Sequence, residues 1–230
     1  MFNFGGGMLT GREIERQIKK GNISISPYDP AQLNPNSYNL KLHPELLIYA
    51  RGSNRSDLIP NAQISNNTDI LDNNDGTTTI INHKDSVISS IYAEKDNLNP
   101  LDMNSNNDII RFMIPESGYV LKPGILYIGR TVERTSSDKF IPMINGRSSG
   151  GRLGLSIHVC AGFGDIGFDG TWTLEITVVE PLTIYPNTEI AQVCYFKPCG
   201  STKMLYNGRY NKQIDATSSR FYKSKEEVYK

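Results

Sequence analysis

The chain has 230 residues, and its 24 Lys plus Arg balance 24 Asp plus Glu for a formal net charge of zero. Nucleic-acid binders normally carry a basic excess, so the balance argues against nucleic acid as a partner and requires any cationic site to be local. The 3 cysteines, Cys160, Cys194 and Cys199, are odd in number and lack C-x-x-C spacing, which argues for a reducing compartment and against a disulfide framework.

The first residues show no basic region ahead of an apolar run, and no later run is long enough to span a bilayer, so the expectation is a cytoplasmic protein with no membrane partner. Thr10-Gly11-Arg12-Glu13 predicts a capping box that opens a helix over about 10–20, with Ile14 and Ile18 on one face and Gly21 as its stop. Helical periodicity then fades. Short apolar or alternating runs follow at Tyr38–Leu42, Leu46–Tyr49, Tyr119–Leu121, Ile125–Ile128, Ser156–Val159, Trp172–Val179, Leu182–Ile184 and Ile190–Phe196, separated by Gly, Pro and Asn. Many short strands with frequent turns predict a mainly β sandwich or barrel. Residues 52–108 interrupt this pattern with Asn, Asp and Ser, and Asn73-Asn74-Asp75-Gly76 ahead of Thr77–Ile81 suggests a hairpin inside a long polar insertion. The expected organisation is a single domain with a core over about 110–200 and a polar tail over about 203–230.

Residues 146–175 carry the chemistry. Ser148, Ser149 and the backbone at Gly150 and Gly151 offer hydroxyl and N–H donors, and Arg147 and Arg152 add fixed positive charge, a combination that suits a phosphorylated ligand. Downstream, Thr173-Leu174-Glu175 places one carboxylate in an apolar, β-branched strand, where it must find a partner or shift its pKa. Taken singly, each feature has an ordinary explanation: a surface turn, a rim glutamate, and in Asp165 a turn former. The cysteines near the core read as apolar filler and Trp172 as a packing residue.

Together the segments resemble a known family. Gly146-Arg147-Ser148-Ser149-x-x-Arg152-Leu153-Gly154-Leu155, His158-Val159-x-Ala161-Gly162-Phe163, Asp165-x-Gly167-Phe168-x-Gly170 and Thr173-Leu174-Glu175 are similar to the active-site sequence of dCTP deaminases, members of the dCTP deaminase/dUTPase superfamily. Pro35–Leu42, Gly129–Glu133 and Tyr206-x-Gly208-Arg209-Tyr210-x-x-Gln213 extend the resemblance over most of the chain. Ile166 and Gly150-Gly151 depart from the commonest family pattern, and Arg209 stands where lysine is more frequent.

The resemblance implies a distorted jelly-roll β-barrel, dUTPase-like, and hydrolytic deamination of dCTP to dUTP and ammonia in pyrimidine deoxynucleotide synthesis. The zinc route of other nucleobase deaminases needs H-x-E together with P-C-x-x-C, and Pro198-Cys199-Gly200 has no second cysteine. The implied chemistry therefore uses no zinc and loads Glu175 as general base and acid. Ser148 and Arg152 would hold the attacking water and Glu175, with Ala161 offering its carbonyl. Asp165 would face the deoxyribose 3′-hydroxyl, and His158, Val159, Thr173 and Leu174 would be further substrate-binding residues, although His158 in its apolar run also reads as a structural histidine. Arg147, Ser149, Gln192, Tyr206, Arg209 and Gln213 would contact the triphosphate, with Mg²⁺ carried on it. The resemblance further implies a homotrimer or hexamer with pockets shared between subunits, a tail that orders over ligand, and dTTP as an inhibitor. A bifunctional variant yielding dUMP, ammonia and pyrophosphate stays open, as do a dUTPase and a non-catalytic nucleotide-binding jelly roll.

Overall fold

The structure, a computed structural model, describes residues 6–50, 68–72, 78–82, 100–160 and 162–223. Helix α1 (Gly11–Lys19) is capped by the Thr10 hydroxyl, which accepts from the Glu13 N–H at 3.4 Å. The Glu13 carboxylate does not complete the capping box; it is spent on Arg16 and Gln17 instead. Ile14 is fully buried, and Gly21 ends the helix at φ +72°, a conformation that favours glycine.

The strands follow as β1 (Ser24–Ser26), β2 (Tyr38–Lys41), β3 (Glu45–Tyr49), β4 (Thr68–Asp72), β5 (Thr78–Asn82), β6 (Ile109–Met113), β7 (Tyr119–Leu121), β8 (Tyr127–Ser136), β9 (Ile141–Gly146), β10 (Leu155–Ser156), β11 (Asp169–Val178), β12 (Leu182–Ile184) and β13 (Glu189–Phe196). One turn of helix, α2 (Ser148–Arg152), sits between β9 and β10. The chain is mainly β, as expected. Its largest sheet runs β10-β11-β8-β3-β6 with β1 on β8, its second runs β2-β13-β9, and two pairs, β12-β7 and β4-β5, stand apart. Among the described residues these ladders do not close into one continuous barrel. Strands β4 and β5 pair where the hairpin was predicted, but its turn lies outside the described residues, as does most of the 52–108 insertion.

Leu40, Leu42, Leu46, Ile48, Tyr127, Leu174, Ile176 and Val193 meet in the main core. Strand β11 alternates across it: Leu174 and Ile176 point inward, leaving Thr173 and Glu175 on the opposite face. Strands β9, β6 and β1 and helix α2 were not expected. Pro142 and Gly146 disguise β9, which tolerates proline because it is the edge of its sheet. Gly150-Gly151 disguises α2, whose first turn closes through the Gly151 N–H to the Arg147 carbonyl at 3.0 Å.

Candidate active site

A cavity of about 520 Å³ opens on the outer face of β11, lined by Thr173, Glu175, Val159, Asp165, Tyr206 and Gln213 among others. Glu175 is half-buried there. The backbone N–H of Val159 donates to its Oε2 at 2.8 Å, and the Glu175 N–H donates to the Ile157 carbonyl at 2.9 Å. The strand and the loop that precedes it thus hold the Glu175 carboxylate at a chamber with aromatic walls.

A bulge shapes the approach. The register of β11 against β8 slips between Thr171 and Thr173, and there the Trp172 N–H donates to the Thr131 hydroxyl at 2.9 Å instead of to the ladder. Trp172 packs at a tilt of 37° against Phe168 with ring centroids 4.4 Å apart and donates its indole N–H to the Thr135 hydroxyl at 2.8 Å. It packs as expected, yet it also forms cavity wall.

Asp165 opens a turn in which Phe168 donates to its carbonyl at 3.2 Å, and Gly167 takes φ +88° at the third position, where a side chain would be strained. The tail crosses directly above. Tyr206 N–H donates to the Ile166 carbonyl at 2.7 Å, Lys212 N–H to the Asp169 carbonyl at 2.7 Å, and Thr171 N–H to the Gln213 carbonyl at 2.9 Å. The Gln213 amide returns two bonds, to the Thr171 carbonyl at 2.9 Å and the Thr173 hydroxyl at 3.2 Å. The tail expected to order over ligand is therefore docked on its own chain by backbone contacts. Its Arg209 donates to the Lys223 carbonyl at 2.9 Å and lies 6.0 Å over the Phe221 ring, outside the cavity lining.

The serine–arginine turn stands elsewhere. Arg147, Ser149 and Gly150 line a second cavity of about 240 Å³ with Leu182–Tyr185 and Glu189. Arg147 is held by the Glu189 carboxylate at 2.8 Å and carbonyl at 3.1 Å, and Gln192 donates to the Gly146 carbonyl at 3.3 Å while accepting from Ser37 at 3.0 Å. Ser148, Gly151 and Arg152 are exposed on α2, and among the described residues no hydrogen bond or ion pair joins Ser148 or Arg152 to Glu175. One chain therefore does not bring the turn and the carboxylate together. Ala161 lies outside the described residues.

His158 is half-buried and absent from the cavity lining. Burial pushes its imidazole below the usual histidine range, with the Glu175 charge opposing. Leu174 is buried in the core and can shape the site only through β11. Cys194 is buried as expected, but Cys160 corrects the filler reading: it is exposed and lines the cavity beside Val159. One H-x-E triplet does occur, His43-Pro44-Glu45, and the structure gives it a different role. The His43 Nε2 lies 2.7 Å from an Arg130 nitrogen, while Glu45 is paired with Arg111 and Arg130. Among the described residues no three His, Cys, Asp or Glu side chains converge as a metal site. No helix among them is long and apolar enough to cross a membrane.

A family model described as dCTP deaminase-like matches residues 8–90 and 82–197. The chain belongs to that family. A protein from Hathewaya histolytica named "dCTP deaminase, dUMP-forming" is 39% identical over 216 residues, covering 94% of this chain and 98% of its own length. A protein of the same name from Clostridium beijerinckii is 41% identical over 216 residues, covering 94% of this chain and 97% of its own. A solved 2′-deoxycytidine 5′-triphosphate deaminase from Agrobacterium tumefaciens gives a slighter likeness, with a TM-score of 0.49 at 16% identity. That match covers 84% of this chain, which spans about half (47%) of the solved chain's length.

Proposed function

We propose that the chain converts dCTP and two waters to dUMP, ammonia and pyrophosphate. The observation that carries this reading is the Glu175 carboxylate, which lines an aromatic-walled cavity and is held there by a backbone N–H. In the deamination half, water attacks C4 of the cytosine as Glu175 takes its proton. Glu175 passes that proton to ring N3, then takes the proton of the new C4 hydroxyl and delivers it to the amine, so that the C4–N bond breaks, ammonia leaves and the C4 carbonyl forms. Acid–base catalysis of this type contributes roughly 10²–10⁴ in rate, and the remainder comes from preorganised dipoles such as the Val159 N–H. In the second half, water attacks the α-phosphorus and pyrophosphate leaves.

The dUMP-forming outcome replaces the dUTP-releasing expectation because both relatives of that name, at 39% and 41% identity, match over 94% of the chain. Gln192, which also suits a bifunctional enzyme, stands beside the phosphate turn.

The separation of Ser148 and Arg152 from Glu175 in one chain supports a site completed by a second copy, whose turn would supply the hydroxyl and guanidinium. A closed homotrimer or hexamer meets that need. Mg²⁺ would arrive on the triphosphate, neutralising charge as pyrophosphate departs. Product analysis after incubation with dCTP and Mg²⁺ tests the proposal. The expected products are dUMP, ammonia and pyrophosphate; accumulation of dUTP, or turnover of dUTP alone, would refute it.

A further inference from the structure

Strand β3 is buried on both faces, although it belongs to a sheet with only one face on the main core. Leu46 and Ile48 point into that core, while Leu47 and Tyr49 join Ile128 and Ala216 in a second, smaller cluster. Ala216 belongs to the tail, so the tail is what covers the outer face of β3.

Two polar groups on that same face fasten it, since Glu45 and Tyr49 are four residues apart and strand side chains repeat every two. The Glu45 Oε2 accepts from the Ala216 N–H at 3.3 Å, and the Tyr49 hydroxyl accepts from the Ser219 N–H at 3.1 Å. The Glu45 carboxylate is itself fixed by Arg111 and by Arg130, whose Nε lies 3.3 Å away. Thr217 and Ser218, between the two fastened points, and Ser219 at the second line the cavity that holds Glu175, together with Tyr49.

We infer that Glu45 and Tyr49 form a clasp that sets the tail wall of the Glu175 cavity, making both positioning residues for substrate retention. The clasp deepens the dCTP reading and rests on it. Glu45 does not line the cavity and acts only through Ala216, whereas Tyr49 acts through Ser219 and its ring.

Amide hydrogen exchange and steady-state kinetics on the full chain, applied to Tyr49→Phe and Glu45→Gln, test the inference. Tyr49→Phe keeps the ring packing and deletes one acceptor, so it guards against a folding defect in the buried Glu45 variant. Faster exchange is expected at Ser219 in Tyr49→Phe and at Ala216 in Glu45→Gln. KM for dCTP is expected to rise roughly two- to tenfold, the range of one lost hydrogen bond, with kcat nearly unchanged. Unchanged exchange at both amides would overturn the clasp, and faster exchange with an unchanged KM would overturn its role in retention. Exchange is read without substrate, so a failed clasp and a failed dCTP reading give separate results.

Discussion

Val159 and Glu175 are joined by a backbone N–H donating to a carboxylate oxygen at 2.8 Å. The bond leaves Oε1 of Glu175 without a hydrogen bond among the described residues, on a side chain that lines the cavity. A main-chain donor cannot swing away as a side chain can, so the carboxylate keeps its aim for as long as β11 and the Ile157–Val159 segment stay paired.

Leu174→Ala separates core from site. Leu174 is 1% exposed beside Glu175, and truncating a leucine at such a position costs about 2–5 kcal/mol. Thermal unfolding should show that loss, while Glu175→Gln, on the solvent side of the same strand, should melt close to the parent chain.

Gly170→Ala tests the tail crossing. A Cβ there would sit 2.6 Å from the Gln213 carbonyl oxygen and 3.2 Å from its nitrogen, so backbone must move. Overpacking of this kind costs roughly 1–3 kcal/mol. The expected result is a lower melting temperature and a raised KM for dCTP, read by unfolding and steady-state rates.

Arg152→Ala should lose most activity and leave the melting curve unchanged, because Arg152 is exposed and makes no ion pair among the described residues. If a second copy completes the site, mixing and reassembling Arg152→Ala with Glu175→Gln should restore part of the activity from two inactive variants. Activity assays on the mixture check this.

Stability should fall with acid. Burial lowers the His43 and His158 imidazoles, with Arg130 adding to the effect at His43. Burial alone would raise the Glu45 carboxyl, but Arg111, the Ala216 N–H and Arg130 together bring it below its usual range. In each case the unfolded chain binds its proton more readily, so stability rises with pH. The histidine contributions are present above about pH 6.5 and lost below it, and that of Glu45 is present above about pH 4.3 and lost as pH falls further. Thermal midpoints measured across that interval should decline in two stages.

Much of this was legible in the sequence because it depends on local pattern. Thr10 and Gly21 marked the helix ends, and β7 and β12 fall on their predicted residues, Tyr119–Leu121 and Leu182–Ile184. The strand around Glu175 was legible from its apolar and β-branched neighbours, whereas the face its side chain takes was not. What stayed hidden depends on contacts distant in sequence. Pro142 is acceptable in β9 only because that strand is an edge, and the double burial of β3 requires a tail some 170 residues away. The separation of Arg152 from Glu175 is likewise a property of the folded sheet, since the 22 intervening positions carry no signal of which cavity each will face.

The most direct measurement is ammonia release from dCTP by Glu175→Gln, with nucleotide binding followed in parallel. The account predicts that release falls by roughly 10²-fold or more while binding persists. Turnover equal to that of the parent chain would contradict it and remove Glu175 as the proton carrier.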